Sequence, residues 1–278
     1  MENFTFKEHY TVEDLRQVVR ILRAPDGCPW DSVQTHQSIR RNFIEETLEA
    51  CEAIDREDPD LLREELGDVL FQVLFHADIE ADAGRFDLDD AADTACRKMI
   101  FRHPHVFGTE HFDGLEPELA RWEELKRQEK GQETYADTLD AVARTLPGLW
   151  RAEKLQKKAA KAGFAWPDAS AAADAAAEEA AALQAAVRSG ADPKDAIGRV
   201  LFAAAGAAVQ AGLDPEECLR GTCETYITRF RRMEEAAQRS GTPLDALSAG
   251  EQRALWAQAG QDSGHSSRTE AKEDPRHE

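Results

Sequence analysis

The chain has 278 residues, 42% of them hydrophobic, so it is long enough for one large or two ordinary domains with buried cores. Its formal net charge of −20 at pH 7 would repel nucleic-acid phosphates and anionic membrane surfaces, so we expect neither as a partner. No run of about 18 apolar residues and no signal-peptide pattern occurs in the sequence, which predicts a cytoplasmic protein.

The first predicted helix, residues 11–23, leads into a loop rich in functional side chains. The loop contains Trp30, Asp31, Gln34 and His36, a combination that suits a pocket for a nucleobase or a sugar. Ordinary alternatives remain open, since Trp30 could fill a core and His36 could cap the next helix.

Two further predicted helices, 38–56 and 59–83, form a hairpin around a turn centred near residue 57. Each helix carries two carboxylates three residues apart: Glu46 and Glu49 on the first, Glu65 and Asp68 on the second. Glu49 and Glu65 each lie 8 residues from the turn (57−49, 65−57). Glu46 and Asp68 each lie 11 residues from it (57−46, 68−57). Equal distances from the turn place residues at equal heights, so the four carboxylates can converge.

Converging carboxylates repel one another unless a cation is bound between them. Ligation by oxygen alone favours Mg²⁺, or Mn²⁺ as an alternative, over Zn²⁺. One acidic pair on one helix would be an ordinary solvated surface. The matched second pair, beside an apolar stripe, is the feature that predicts a metal site.

The next predicted helix begins at Asp87, runs to about Phe101 and carries cations. Lys98 and Arg102 lie four residues apart and therefore share a face. Paired cations suit phosphate oxygens, although an ion pair at the surface is equally compatible with this spacing. The nearby predicted metal site favours the phosphate role.

A helix predicted at 116–130 places Trp122 and Lys126 one turn apart, so an aromatic face again lies beside a cation. Residues 131–145 are polar and contain the expected domain boundary. We predict an N-terminal domain at 1–135, a C-terminal domain at 136–260 and a disordered tail at 261–278.

The second half of the chain repeats the first weakly. The segment Gly67-Asp68-Val69-Leu70-Phe71 returns as Gly198-Arg199-Val200-Leu201-Phe202. Across the repeat, Glu46, Glu49, Glu65 and Asp68 become Glu179, Ala182, Ala196 and Arg199. One carboxylate and an arginine cannot hold a divalent cation, so we expect the second copy to have kept its helices and lost the metal site.

Four motifs together resemble the MazG family of nucleoside triphosphate pyrophosphohydrolases. They are Glu45-Glu46-x-x-Glu49, Glu64-Glu65-x-x-Asp68, Gly27-Cys28-Pro29-Trp30-Asp31-x-x-Gln34-Thr35-His36 and Arg102-His103-Pro104-His105-Val106-Phe107. The resemblance is strong over residues 11–130. It implies an all-α protein of two tandem helical-bundle domains, assembled as a homodimer. It also implies a Mg²⁺-dependent enzyme that splits nucleoside triphosphates into monophosphate and pyrophosphate.

The same resemblance implies roles for individual residues. Glu46, Glu49, Glu65 and Asp68 would be metal ligands, with Glu45 and Glu64 as outer carboxylates that accept a proton. Lys98, Arg102 and Lys126 would contact phosphates, and Trp122 would contact the base side, as would Trp30 in its loop.

The sequence departs from the family in one respect. In two-domain relatives the C-terminal domain carries the active site, whereas here that domain lacks a second carboxylate pair. We therefore expect catalysis in the N-terminal domain. The alternative from another functional class is a non-catalytic helical scaffold or nucleotide sensor, which would bind nucleotide without turnover.

Overall fold

The computed structural model describes residues 4–261, which form α-helices, two short 3-10 helices and connecting loops without any β-strand. The all-α prediction is therefore confirmed. The predicted disordered tail lies outside the described residues, apart from Gln261 at the end of the last helix. Within the described range, no single helix has the length and apolar composition of a membrane span. One bent pair, Lys194–Gln210 with Pro215–Arg239, meets those criteria jointly.

The described residues contain twelve α-helices, named here in chain order. They are α1 (Val12–Arg23), α2 (His36–Asp55), α3 (Pro59–Asp82), α4 (Leu88–Arg102), α5 (Pro104–Phe107), α6 (Leu115–Glu129), α7 (Tyr135–Asp140), α8 (Gly148–Lys161), α9 (Ala169–Ser189), α10 (Lys194–Gln210), α11 (Pro215–Arg239) and α12 (Ala249–Gln261). The 3-10 helices are Asp31–Val33 and Leu244–Ala246.

Helix starts follow side-chain caps, which is why local sequence predicted most of them. Thr11 caps α1, and Asp87 caps α4 by accepting from the backbone N–H groups of Asp89 and Asp90. Asp58 caps α3 in the same way and is followed by a proline at the first helical position. Each cap satisfies backbone donors that have no partner inside the helix.

Two differences from the predicted helices have a clear local cause. Helix α2 begins at His36 rather than at residue 38, because Thr35 and Ser38 form a reciprocal capping box around its first turn. Helix α7 lies inside the predicted polar linker, where Thr134 and Asp137 form a second such box. In both cases a capping box starts the helix at a place where the spacing of apolar residues gives little indication of one.

The described residues form two compact units, one before and one after the boundary between Lys126 and Arg127. In the first unit, α2 and α3 pack against each other as a hairpin. Both α1 and α4 contact α3. The centre of this unit is a cluster of four buried apolar side chains: Val19, Ile39, Leu74 and Phe75. Phe75 is 1% exposed and lies on α3, so the second helix of the hairpin is anchored to the core of its unit.

In the second unit, α10 packs on α8 and α9, while α11 packs on α8 and α12. The long helices α8, α9, α10, α11 and α12 thus follow one another as α1, α2, α3, α4 and α6 do. Its buried positions are filled largely by alanine: Ala152, Ala172, Ala196, Ala205, Ala237 and Ala259. Small side chains bury little apolar surface each, so this core gains less from burial than the first.

Candidate active site

The hairpin of α2 and α3 brings together the carboxylates that the turn arithmetic predicted to be level. One carboxylate oxygen from each of Glu46, Glu49 and Glu65 lies within 4.8 Å of the others. Asp68 lies outside this group of three, but its charge acts on both Glu46 and Glu65. The structure therefore shows a close acidic trio with a fourth carboxylate beside it.

The electrostatics of the cluster are those of uncompensated negative charge. Burial first, and then the charges of Asp68 and Glu49, raise the pKa of Glu46. The pKa of Glu65 is raised by the same causes, with Glu64 adding to the effect. Within residues 4–261 none of these ligand candidates forms an ion pair with a basic side chain. A set of carboxylate oxygens of this kind suits a hard divalent cation, which prefers oxygen ligands.

The two outer carboxylates differ in their surroundings. Glu45 lies one turn after Arg41 and accepts a hydrogen bond from its Nε at 2.7 Å. Glu64 is exposed on α3 next to Glu65.

A second group lies on α4 and α6, where two cations contact one indole ring. The guanidinium carbon of Arg102 is 5.5 Å from the centroid of Trp122, and Nζ of Lys126 is 4.5 Å from it. Arg102 is only 6% exposed, and Lys126 also lies 3.9 Å from Glu123. The structure thus brings together three predicted substrate contacts that lie up to 24 residues apart (126−102).

Lys98 and Trp30 remain on the surface of the first unit. Lys98 is partly exposed one turn before Arg102 and joins no ion pair within the described residues. Trp30 is 57% exposed, at the start of the 3-10 helix Asp31–Val33, so it does not fill a core. Both side chains are accessible to a ligand.

The loop after α4 is tied to α6 by polar contacts. Nδ1 of His103 bonds the carbonyl oxygen of Met99 at 2.6 Å, and Nε2 of His105 lies 3.1 Å from Glu118. The guanidinium of Arg121 donates two hydrogen bonds to Glu110. These contacts give the two histidines structural partners and fix the helix that carries Trp122.

The second unit has an ion pair at the equivalent place in its helix pair. Nε of Arg199 on α10 donates to Glu179 on α9 at 2.7 Å. The position of Glu65 is taken by Ala196, which is 5% exposed. The Arg102 and Trp122 contact has a counterpart in Arg229 and Trp256, whose guanidinium carbon and ring centroid are 4.2 Å apart.

Sequence reasoning missed a polar network at the open end of the hairpin. It was predicted that His36 would face a pocket or cap a helix, but its ring nitrogens contact His76 and Glu80 of α3. Glu80 is also bound by Arg85. The turn arithmetic places His36 and His76 near the same height, 21 residues before and 19 residues after residue 57, but it does not give the direction of their rings.

Known proteins are similar to this chain over most of its length. Residues 34–107 match the MazG nucleotide pyrophosphohydrolase domain. The chain is 35% identical over 250 residues to the nucleoside triphosphate pyrophosphohydrolase/pyrophosphatase MazG of Thermotoga maritima, covering 89% of this chain and 94% of that protein. It is 36% identical over 252 residues to a nucleoside triphosphate pyrophosphohydrolase of Escherichia coli K12, covering 89% and 96%. The chain belongs to the MazG family.

The match to the MazG domain spans α2 to α5. This segment contains Glu46, Glu49, Glu65 and Asp68, together with Lys98 and Arg102. A nucleoside triphosphate pyrophosphohydrolase of Mycolicibacterium smegmatis is 46% identical over 138 residues, which is 49% of this chain and 42% of that MazG relative. The alignments with the Thermotoga maritima and Escherichia coli proteins, 250 and 252 residues long, exceed the length of either unit, so those two relatives match residues of both units.

Proposed function

We propose that this protein is a Mg²⁺-dependent nucleoside triphosphate pyrophosphohydrolase that converts NTP or dNTP to the monophosphate and pyrophosphate. The observation that carries the proposal is the acidic trio of Glu46, Glu49 and Glu65, formed by two helices of a MazG-family chain. A triphosphate is itself highly anionic, so a cation held by these carboxylates is what would let an acidic protein bind it.

Glu46, Glu49, Glu65 and Asp68 would hold the Mg²⁺, with Mn²⁺ as a substitute. When bound, the ion supplies positive charge for the triphosphate and favours deprotonation of the attacking water. Glu45 or Glu64 would accept the proton from that water. The water oxygen bonds to the α-phosphorus, the α–β bond breaks, and pyrophosphate leaves.

The cations of α4 and α6 would neutralise the phosphate oxygens. Lys98 and Lys126 can act as point charges, and Arg102 as a planar donor held against Trp122. The aromatic rings of Trp122 and Trp30 would lie on the base side, since every base offers a face for stacking. The half-buried setting of Lys126 strengthens its interaction with phosphate relative to bulk water.

The first unit would carry catalysis in a homodimer located in the cytoplasm. The hairpin exposes apolar side chains that a second copy could cover, among them Ile44 at 49%, Leu48 at 51% and Leu66 at 54% exposure. Light scattering should then give twice the chain mass of 30.9 kDa. The net charge of −20 supports the expectation that neither nucleic acid nor membrane is a partner.

A substrate panel tests the reaction. With Mg²⁺ and ATP, GTP, dTTP or dUTP, we expect monophosphate and pyrophosphate in equal amounts. Release of orthophosphate without pyrophosphate would contradict the proposal. The alternative, a nucleotide sensor or scaffold, is motivated by the ion pair of Arg199 and Glu179 in place of a metal site. It predicts nucleotide binding by equilibrium dialysis without any turnover.

A further inference from the structure

The open end of the α2 and α3 hairpin is closed by two imidazole rings that meet edge to edge at their Nδ1 atoms. His36 and His76 have ring centroids 5.0 Å apart at an interplanar angle of 6°, and their Nδ1 atoms are 2.7 Å apart. The other nitrogen of His36, Nε2, lies 2.6 Å from Oε1 of Glu80. Residue His36 is thus bonded by both nitrogens to the opposite helix.

Neighbouring side chains hold this arrangement in place. Arg85 donates to both oxygens of Glu80, at 2.5 and 2.6 Å. The ring of Phe43 on α2 packs against His76 with centroids 5.4 Å apart. Glu80 is 8% exposed, so its carboxylate is largely shielded from water. Three hydrogen bonds, two from Arg85 and one from His36, orient it.

The protonation chemistry of the pair favours one arrangement at neutral pH. Two Nδ1 atoms in contact need one proton between them, and a second proton would place two N–H groups face to face. Burial first, and then the charge of His36, lower the pKa of His76. Arg85 first, and then His36, lower the pKa of Glu80 to about 2. His76 is therefore neutral and Glu80 ionised at pH 7, as the bonds require.

The network and the turn lie on opposite sides of the carboxylates. His36 precedes Glu46 by 10 residues, about 15 Å along α2, and His76 follows Asp68 by 8, about 12 Å along α3. The turn at 56–58 joins the helices at the other end. These two ends, together with the packing of α2 on α3 between them, resist the repulsion between the acidic residues of the two helices.

We propose that His36, His76 and Glu80 are positioning residues that clamp α2 to α3 in the register at which one divalent cation can bridge the two acidic pairs. The inference rests on the metal site of the proposed function. The clamp touches neither substrate nor cation. It acts by holding the ligand helices together while the site is empty, so that little of the binding free energy is spent on closing the hairpin.

The test compares His76→Leu with His76→Asn by titration calorimetry with Mn²⁺ at pH 7.5. Leucine keeps the volume of the side chain without hydrogen bonding, whereas asparagine keeps a polar atom near the position of Nδ1. We expect the leucine variant to bind Mn²⁺ about tenfold more weakly, the effect of losing a net hydrogen bond of about 1.4 kcal/mol. Asparagine should restore most of the affinity.

A matched control is Arg16→Gln, which removes ion pairs between α1 and the start of α4, including one of 3.1 Å to Asp89. It should lower the melting temperature while leaving Mn²⁺ affinity unchanged. If the leucine variant does not fold, His36→Ala is used in its place. His36 is partly exposed, and this substitution removes its contacts with both His76 and Glu80.

The outcomes separate the inference from the proposed function. Equal Mn²⁺ affinity in the wild type and the leucine variant would overturn the clamp, as would equal loss in the leucine and asparagine variants. Absence of Mn²⁺ binding by the wild type would overturn the metal site itself, and the clamp with it.

Discussion

At the scale of single residues, the glutamates of the acidic cluster repel one another in the folded state. The raised pKa of Glu65 means that its ionised form is disfavoured in the folded state. That destabilisation is absent at pH below about 4.5 and grows as the pH rises through the raised pKa. At pH 7 the empty site therefore destabilises the fold.

The first prediction uses Glu65→Gln, which removes one charge and keeps the shape. Without metal, its melting temperature should equal or exceed that of the wild type, because repulsion is relieved. With Mg²⁺ at a hundredfold excess over its Kd, the wild type should gain about 2.7 kcal/mol and the variant far less. Turnover should fall at least about a hundredfold. Calorimetry measures the melting temperature, and pyrophosphate release measures the turnover. In both assays the control Glu178→Gln, in the second unit, should behave like the wild type.

The second prediction concerns Asp14, a carboxylate that stabilises the start of α1. The side chain of Lys7 first, and then Thr11, lower its pKa to about 2. A lowered pKa gives stability that is present above the ordinary value of about 4 and lost as the pH falls towards 2. Asp14→Asn should therefore lower the melting temperature at pH 7 and make little difference near pH 2. Thermal scans of the wild type and the variant at pH 7 and near pH 2 measure this difference.

At the scale of elements, the hairpin turn contains the one non-glycine residue with positive φ among residues 4–261. Glu57 has a φ of 53°, a left-handed conformation that costs about 1 kcal/mol for a residue with a Cβ. The turn follows Arg56, which caps α2, and leads to Asp58, which caps α3. The conformation of residue 57 thus decides how the two ligand helices face each other.

The third prediction is that Glu57→Gly stabilises the first unit by about 0.5 to 1 kcal/mol, because glycine adopts positive φ without strain. The matched control is Glu52→Gly, one turn earlier within α2, which should destabilise by about 1 kcal/mol. Urea unfolding measures both. A loss of stability in Glu57→Gly would mean that its side chain contributes more than the strain costs.

At the scale of the whole molecule, the two units share an order of helices and differ in their chemistry. The first unit has carboxylates facing across its hairpin, and the second has Arg199 bound to Glu179. A guanidinium in that place neutralises the remaining carboxylate without any ion.

The fourth prediction tests which unit carries activity. Glu46 and Glu49 replaced together by alanine should abolish pyrophosphate release. Glu178 and Glu179 replaced together should leave turnover nearly intact and lower the melting temperature slightly, since Arg199 loses its partner. The reverse result would assign catalysis to the second unit and show that the repeat was aligned incorrectly.

Local sequence determined the helices and the acidic cluster. Side-chain caps such as Thr11 and Asp87 act within one turn, so they are visible in the sequence without any tertiary information. The convergence of Glu46, Glu49 and Glu65 was also predictable, because a short turn and a constant rise per residue fix which positions are level.

Tertiary structure alone decided the contacts that depend on side-chain direction and packing across long separations. The pairing of His36 with His76 and Glu80 joins residues at least 40 apart, and the burial of Arg102 against Trp122 depends on how α6 packs. Periodicity says which face of a helix a residue occupies, but not which partner that face meets. Partner choice follows from the packing of the whole unit, so the contacts of His36 with His76 and Glu80 are visible only in the folded chain.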